Sequence, residues 1–98
     1  MKTVALEAGS FGIRANAIAP GCVEGDRING VIEREAAQKN TTPDIVRQAY
    51  KAGTSLNTFI EAKDIAAMAV FLASDSAQLV SGQIIAVDGH TENPDPKI

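Results

Sequence analysis

The sequence predicts an α/β chain that forms the edge of a larger, doubly wound parallel sheet, and three observations predict it. Ile84 to Val87 is a continuous apolar run, the mark of a strand covered on both faces. Ile13 to Ala19 is a second apolar run, which drives into Pro20-Gly21 and breaks there. Between them, Ile65, Met68, Ala69 and Leu72 recur on one helical stripe. Two strands joined through a helix imply a parallel pair with a right-handed crossover. A parallel sheet needs cover on both faces, and two strands with one crossover helix do not supply it.

The elements follow in order. MKTVALEA reads as helix, stopped around Gly9 and Gly12, and it is too short to stand alone. It is expected to be the end of a longer helix, with Met1 an internal methionine. Ile13 to Ala19 is the first strand. Arg27 to Gln38 carries Ile28, Val31 and Ile32 at helical spacing. Thr42-Pro43-Asp44 opens the next helix, with Thr42 as cap, Pro43 at the first helical position and Asp44 at the positive end of the dipole. That helix runs to Gly53. These two short helices, with their polar faces, read as a flap over a pocket more than as core scaffold. Ala62 to Ala73 is the best-patterned helix, with Asp64 in its first turn. Ser81-Gly82 turns into the second strand, and Asp88-Gly89 ends it.

Composition bounds the partners. Ninety-eight residues, 45% hydrophobic and 21% charged, suit one globular domain at most. With four aromatic side chains, the core must be built mainly from Ala, Val, Ile and Leu. The net charge of −3 and the scattered cations argue against a nucleic-acid surface. Cys22 is the single cysteine, so neither an internal disulfide nor a Cys-rich metal site is expected. No apolar run reaches the roughly 20 residues of a membrane span, and no secretory leader is read; a cytoplasmic protein without membrane contact is expected.

"LEAGSFGIRANAIAPGCVEGDR", followed later by "DIAAMAVFLASDSAQLVSGQIIAVDGHTE", resembles the C-terminal part of short-chain dehydrogenase/reductases. The resemblance covers about Met1 to Glu92. It implies the C-terminal portion of a Rossmann-like sheet, with Ile13 to Ala19 and Ile84 to Asp88 as its last two strands. Residues 1–92 would form that part, 25–59 the substrate flap, and 93–98 a loose tail. The implied cofactor is NAD or NADP, and the implied substrate is a small carbonyl or alcohol. Pro20, Gly21, Cys22 and Val23 would lie beside the nicotinamide, their backbone reaching its carboxamide. Family members often carry a Thr a few residues past the Pro-Gly that reaches the phosphates; here that stretch is Glu24-Gly25-Asp26.

Two family features are missing. The glycine-rich phosphate turn has no counterpart. The catalytic Tyr has a Lys four residues on, but Tyr50 has Thr54 there. No catalytic residue is therefore assigned to this chain, and binding of either dinucleotide by the chain alone is expected to be negligible.

Single residues read plainly. Cys22 has no neighbouring His to activate it and reads as a pocket-lining thiol. His90, the sole histidine, reads as a surface residue at a position where the family often has Gly. Glu24, Asp26, Glu33 and Glu35 read as solvated charges, and no metal site is assigned. The leading reading is an inactive C-terminal portion of an oxidoreductase. The alternatives are a non-catalytic assembly module and a truncated frame that folds poorly. A homo-oligomer is expected, through the exposed sheet edge.

Overall fold

A computed structural model describes residues 1–95. Helix α1 spans Lys2–Ala8 and runs into a 3-10 turn at Gly9–Phe11. Gly12 ends that turn at φ 73, where its N–H reaches the Gly9 carbonyl; the left-handed conformation is why glycine stands there. Strand β1 is Ala17–Pro20, α2 is Asp26–Gln38, α3 is Pro43–Ala52, α4 is Ala62–Ala73, and β2 is Ile84–Val87. The two strands are parallel, with Ala17 opposite Ile84 and Pro20 opposite Val87. The chain is an α/β fold with a two-stranded parallel sheet.

The local signals place the helices well. Thr42 Oγ1 accepts from the Ile45 N–H at 3.3 Å, and Pro43 opens α3. Asp64 Oδ2 accepts from the Glu61 N–H at 2.9 Å, which starts α4 one residue later. The first strand is shorter than expected: Ile13 to Asn16 lie outside it. Their polar groups are met by the turn before β2 instead. Ala15 N–H donates to Ser81 Oγ at 3.2 Å and Ala15 C=O accepts from Gly82 N–H at 2.8 Å. Asn16 reaches both Val80 C=O and Gln83 N–H through its side chain. A loop that supplies partners from its side chains satisfies the backbone without extending the ladder.

The core lies elsewhere than the sequence suggests. Ile32, Ala36 and Val46 are buried between α2 and α3, and Phe59 closes the cluster, with Ile28 and Tyr50 against it. The segment expected to be a flap more than core scaffold thus holds the main buried cluster of the described residues. Each helix carries one apolar stripe, and the two stripes bury each other. Ile45, one residue from Val46, faces outward at 51% exposed.

The sheet is the open part. Alternation along the strands puts Ala17, Ala19, Ile84 and Ala86 on one face, and Ile18, Ile85 and Val87 on the other. Helix α4 packs on both strands, and Ile65, Met68 and Leu72 of its stripe are half-buried. No described helix covers the face that carries Ile84. Val70 and Phe71, on the far side of α4, are exposed as well.

Candidate functional site

Both loops at the carboxyl ends of the strands, Gly21 to Gly25 and Asp88 to Thr91, lie on one edge of the molecule. In open parallel sheets that edge is where ligands bind. Pro20 ends β1, and Gly21 N–H donates to Val87 C=O at 3.0 Å, the last rung between the strands.

Gly21 has a specific steric reason. A Cβ at this position would stand 2.8 Å from both Cα and Cβ of Asp88. The close approach that requires glycine here is to the chain's own Asp88. Gly21→Ala is expected to force the loops apart and destabilise the chain by about 1–3 kcal/mol. A urea melt within about 0.5 kcal/mol of the parent would show that the contact relaxes freely.

The loop is then held from the other side. Val23 forms a parallel bridge with Ile60. Ile60 N–H donates to Cys22 C=O at 2.9 Å, and Glu24 N–H donates to Ile60 C=O at 2.8 Å. Such a bridge uses the groups of Cys22 and Glu24 and turns those of Val23 to the opposite side. Among the described residues, neither the N–H nor the C=O of Val23 has a backbone partner. On that loop lies an open cavity of about 520 Å³, lined by residues 20–28 and Val31. A second cavity, about 300 Å³, meets Pro20, Gly21 and Cys22 and reaches Tyr50 and Phe59 of the flap and Asp88 beyond β2.

Arg47 ties the flap to the loop. Its Nη1 donates to Glu24 Oε1 at 2.6 Å, its Nη2 donates to Asn29 Oδ1, and its guanidinium stands 5.3 Å from the centre of the Phe59 ring. Nothing in the local sequence around Arg47 signals Glu24 and Asn29, which lie 23 and 18 positions away.

Neither Cys22 nor Tyr50 is shifted toward acid/base work near neutrality. Burial pushes the Cys22 thiol above its ordinary value, which makes it a poor nucleophile. Tyr50 is raised too, first by burial and then by Glu35, whose Oε1 accepts from the hydroxyl at 3.4 Å. A phenol that takes and gives protons near neutrality needs the opposite shift. Glu35 is not the solvated charge expected from sequence: it is half-buried, and its Oε2 is enclosed without a partner. Glu24 is exposed but paired with Arg47, while Asp26 and Glu33 are exposed. His90 is exposed at φ 61, beside Glu92 at 3.5 Å. That positive φ is the physical ground for a glycine preference there. Among the described residues, no group of three or more His, Cys, Asp and Glu side chains is placed to hold a metal ion, and no helix is long and apolar enough to cross a membrane.

The tail is partly fixed. Glu92 and Asn93 both donate their N–H groups to Gly53 C=O, at 2.8 and 3.1 Å, and Thr91 bridges Thr54. The remainder of the segment expected to be loose, residues 96–98, lies outside the described residues.

Comparison with known proteins agrees with this geometry. The family described as enoyl-(acyl carrier protein) reductase matches residues 1–90. The uncharacterized oxidoreductase YuxG of Bacillus subtilis is 38% identical over 90% of this chain and 13% of its own length. A short chain dehydrogenase family protein of Francisella tularensis superposes with a TM-score of 0.83 at 28% identity, over 90% of this chain and 36% of its own. YwfH, an NADPH dependent reductase involved in bacilysin biosynthesis, superposes with a TM-score of 0.81 at 26% identity, over 96% of this chain and 35% of its own. The chain thus spans about a third or less of these proteins.

Proposed function

We propose a function from one premise: the chain belongs to the short-chain dehydrogenase/reductase family. It is the nicotinamide-side portion of an NAD(P)-dependent oxidoreductase that passes hydride between the cofactor and a carbonyl or alcohol carbon of a small molecule. The observation that carries this reading is the free N–H and C=O of Val23, side by side on the loop that leaves β1. A carboxamide needs one acceptor and one donor, and Val23 offers both.

The nicotinamide end of such a cofactor fits these residues, in the open cavity along residues 20–28. Its phosphate end does not. Glu24-Gly25-Asp26 offers no hydroxyl and adds two carboxylates, so the phosphates belong to residues beyond this chain. When bound, the dinucleotide supplies or accepts the hydride. Val23 holds the carboxamide and so sets which ring face is presented. Gly21, locked against Asp88, fixes the height of that loop over the sheet. Arg47, through Glu24 and Asn29, keeps the flap seated beside it. Proton transfer falls to other groups, because Tyr50 has Thr54 where the family's catalytic Tyr has a Lys. The proposed setting is the cytoplasm, where a lone thiol such as Cys22 stays reduced.

The test is complementation. The 98-residue chain alone, mixed with NADH or NADPH and a panel of ketones, is expected to give no turnover. Turnover is expected to appear when the upstream two-thirds of a related dehydrogenase is added. Val23→Pro removes the N–H without touching the bridge to Ile60. In the complemented enzyme it is expected to raise the cofactor KM about tenfold, the loss of one good hydrogen bond. Turnover by the chain alone, or an unchanged KM for Val23→Pro, would overturn the assignment. Assembly of the two parts without turnover would favour a non-catalytic assembly module, the reading to which the uncovered sheet face points.

A further inference from the structure

The smaller cavity, on the Cys22 side of the loop, is a built space and not a gap between loops. Its outer wall is the segment after β2, which is fixed along its length. Ser55 and Leu56 donate their N–H groups to His90 and Gly89 carbonyls at 2.8 and 3.1 Å. A Cβ on Gly53 would overlap the Asn93 carbonyl oxygen. Thr91 and Asn93 therefore stand at set positions across from Cys22 and Tyr50.

The polar groups facing this space are mostly spent. The Thr54 hydroxyl donates to Lys51 C=O and accepts from Thr58 N–H, and the Thr91 hydroxyl donates to Asp88 C=O. Asp88 Oδ1 accepts from His90 N–H, and Asn93 Oδ1 accepts from Asp95 N–H. What remains among the described residues is Asp88 Oδ2, an acceptor, and the Asn93 side-chain amide, a donor, together with the Cys22 thiol and the acceptor side of the Tyr50 hydroxyl. An acceptor and a donor on one lining suit a hydroxyl, which is both. The lining holds one formal charge, the Asp88 carboxylate, and no Lys or Arg. Its volume of about 300 Å³ is at the low end for small-molecule sites.

We propose that this cavity is a subsite for the uncharged, hydroxyl-bearing end of a small substrate, and that Asp88 excludes carboxylates and phosphates from it. At about 30 Å³ per water-sized group, the occupant has about ten non-hydrogen atoms or fewer. The inference rests on the oxidoreductase reading, since the same loop serves both cavities. A like charge beside Asp88 costs on the order of a hundredfold in affinity at this depth.

Cys22, the single cysteine, lines the cavity and reports on it directly. Its alkylation by iodoacetamide is followed at about pH 9, where enough thiolate forms, with Cys22→Ser as the blank. The probes are 3-hydroxybutan-2-one, 3-hydroxybutanoate and decalin-2-ol. The hydroxyketone is expected to slow alkylation saturably, by about fivefold at four times its dissociation constant. The acid and the bicyclic alcohol are expected to leave the rate unchanged. Asp88→Asn is expected to let the acid protect as well, with protection by the hydroxyketone retained. Asp88→Ser, which keeps an acceptor for the His90 N–H, checks that result. No protection by the hydroxyketone, or protection of the parent chain by the acid, would overturn the proposal. This readout needs neither cofactor nor turnover, so its failure is separate from a failure of complementation.

Discussion

Val46→Asp is expected to melt the α2–α3 unit. Val46 is fully buried against Ile32 and Ala36 in the main apolar cluster of the described residues. A carboxylate placed there has no cation within the cluster and costs several kcal/mol even after relaxation. That loss approaches the whole stability of a small domain, about 5–15 kcal/mol. Ile45→Asp, one residue away on a half-exposed position, is expected to change stability by about 0.5 kcal/mol or less. Far-UV circular dichroism during a urea titration compares the pair. Comparable melts for both variants would mean that the packing between α2 and α3 is not what holds this region.

The second large effect is self-association of the isolated chain. Ile84 is 60% exposed on a sheet face that no described helix covers, and Leu79 is 94% exposed. Each forfeits roughly 1.5–3 kcal/mol by staying in water. The outer edge of each strand also presents unpaired backbone groups, which recruit further strands. Sedimentation velocity is expected to show dimers or larger species. Ile84→Lys is expected to shift the population toward monomer, because a cation on that face opposes burial. The upstream two-thirds of a related dehydrogenase is expected to do the same by covering the sheet. A stable monomer with a cooperative thermal transition would show that α4 and the flap enclose enough core unaided.

The α2–α3 unit and the sheet differ in where their apolar faces go. Helices α2 and α3 bury their stripes in each other, so their core is internal. The sheet has no such internal partner among the described residues, where α4 alone packs on the strands. The flap is therefore self-sufficient where the sheet is not. That difference is why a substitution at Val46 is expected to act within one chain, and a substitution at Ile84 between chains.

The sequence by itself determined the features that depend on neighbours within a turn or two of the chain. The Thr42-Pro43 start of α3 and its stop at Gly53 are capping chemistry. The stripe of α4 and the apolar run of β2 are periodicities. The Pro20-Gly21 break set the end of β1, and the quoted motifs identified the family. Tertiary structure alone decided what distant residues do to one another. It ended the ladder at Ala17, because Asn16 and Ser81 met the preceding backbone with side chains. It made a core of the flap, enclosed Glu35, seated Arg47 on Glu24, and spent the freedom of Gly21 on Asp88. It also laid the segment after β2 along Gly53, across a separation no local pattern reports. Capping and periodicity are local free energies and can be read in one window of sequence. Burial and close approach are set by which surfaces meet, and that is fixed only when the whole chain has folded.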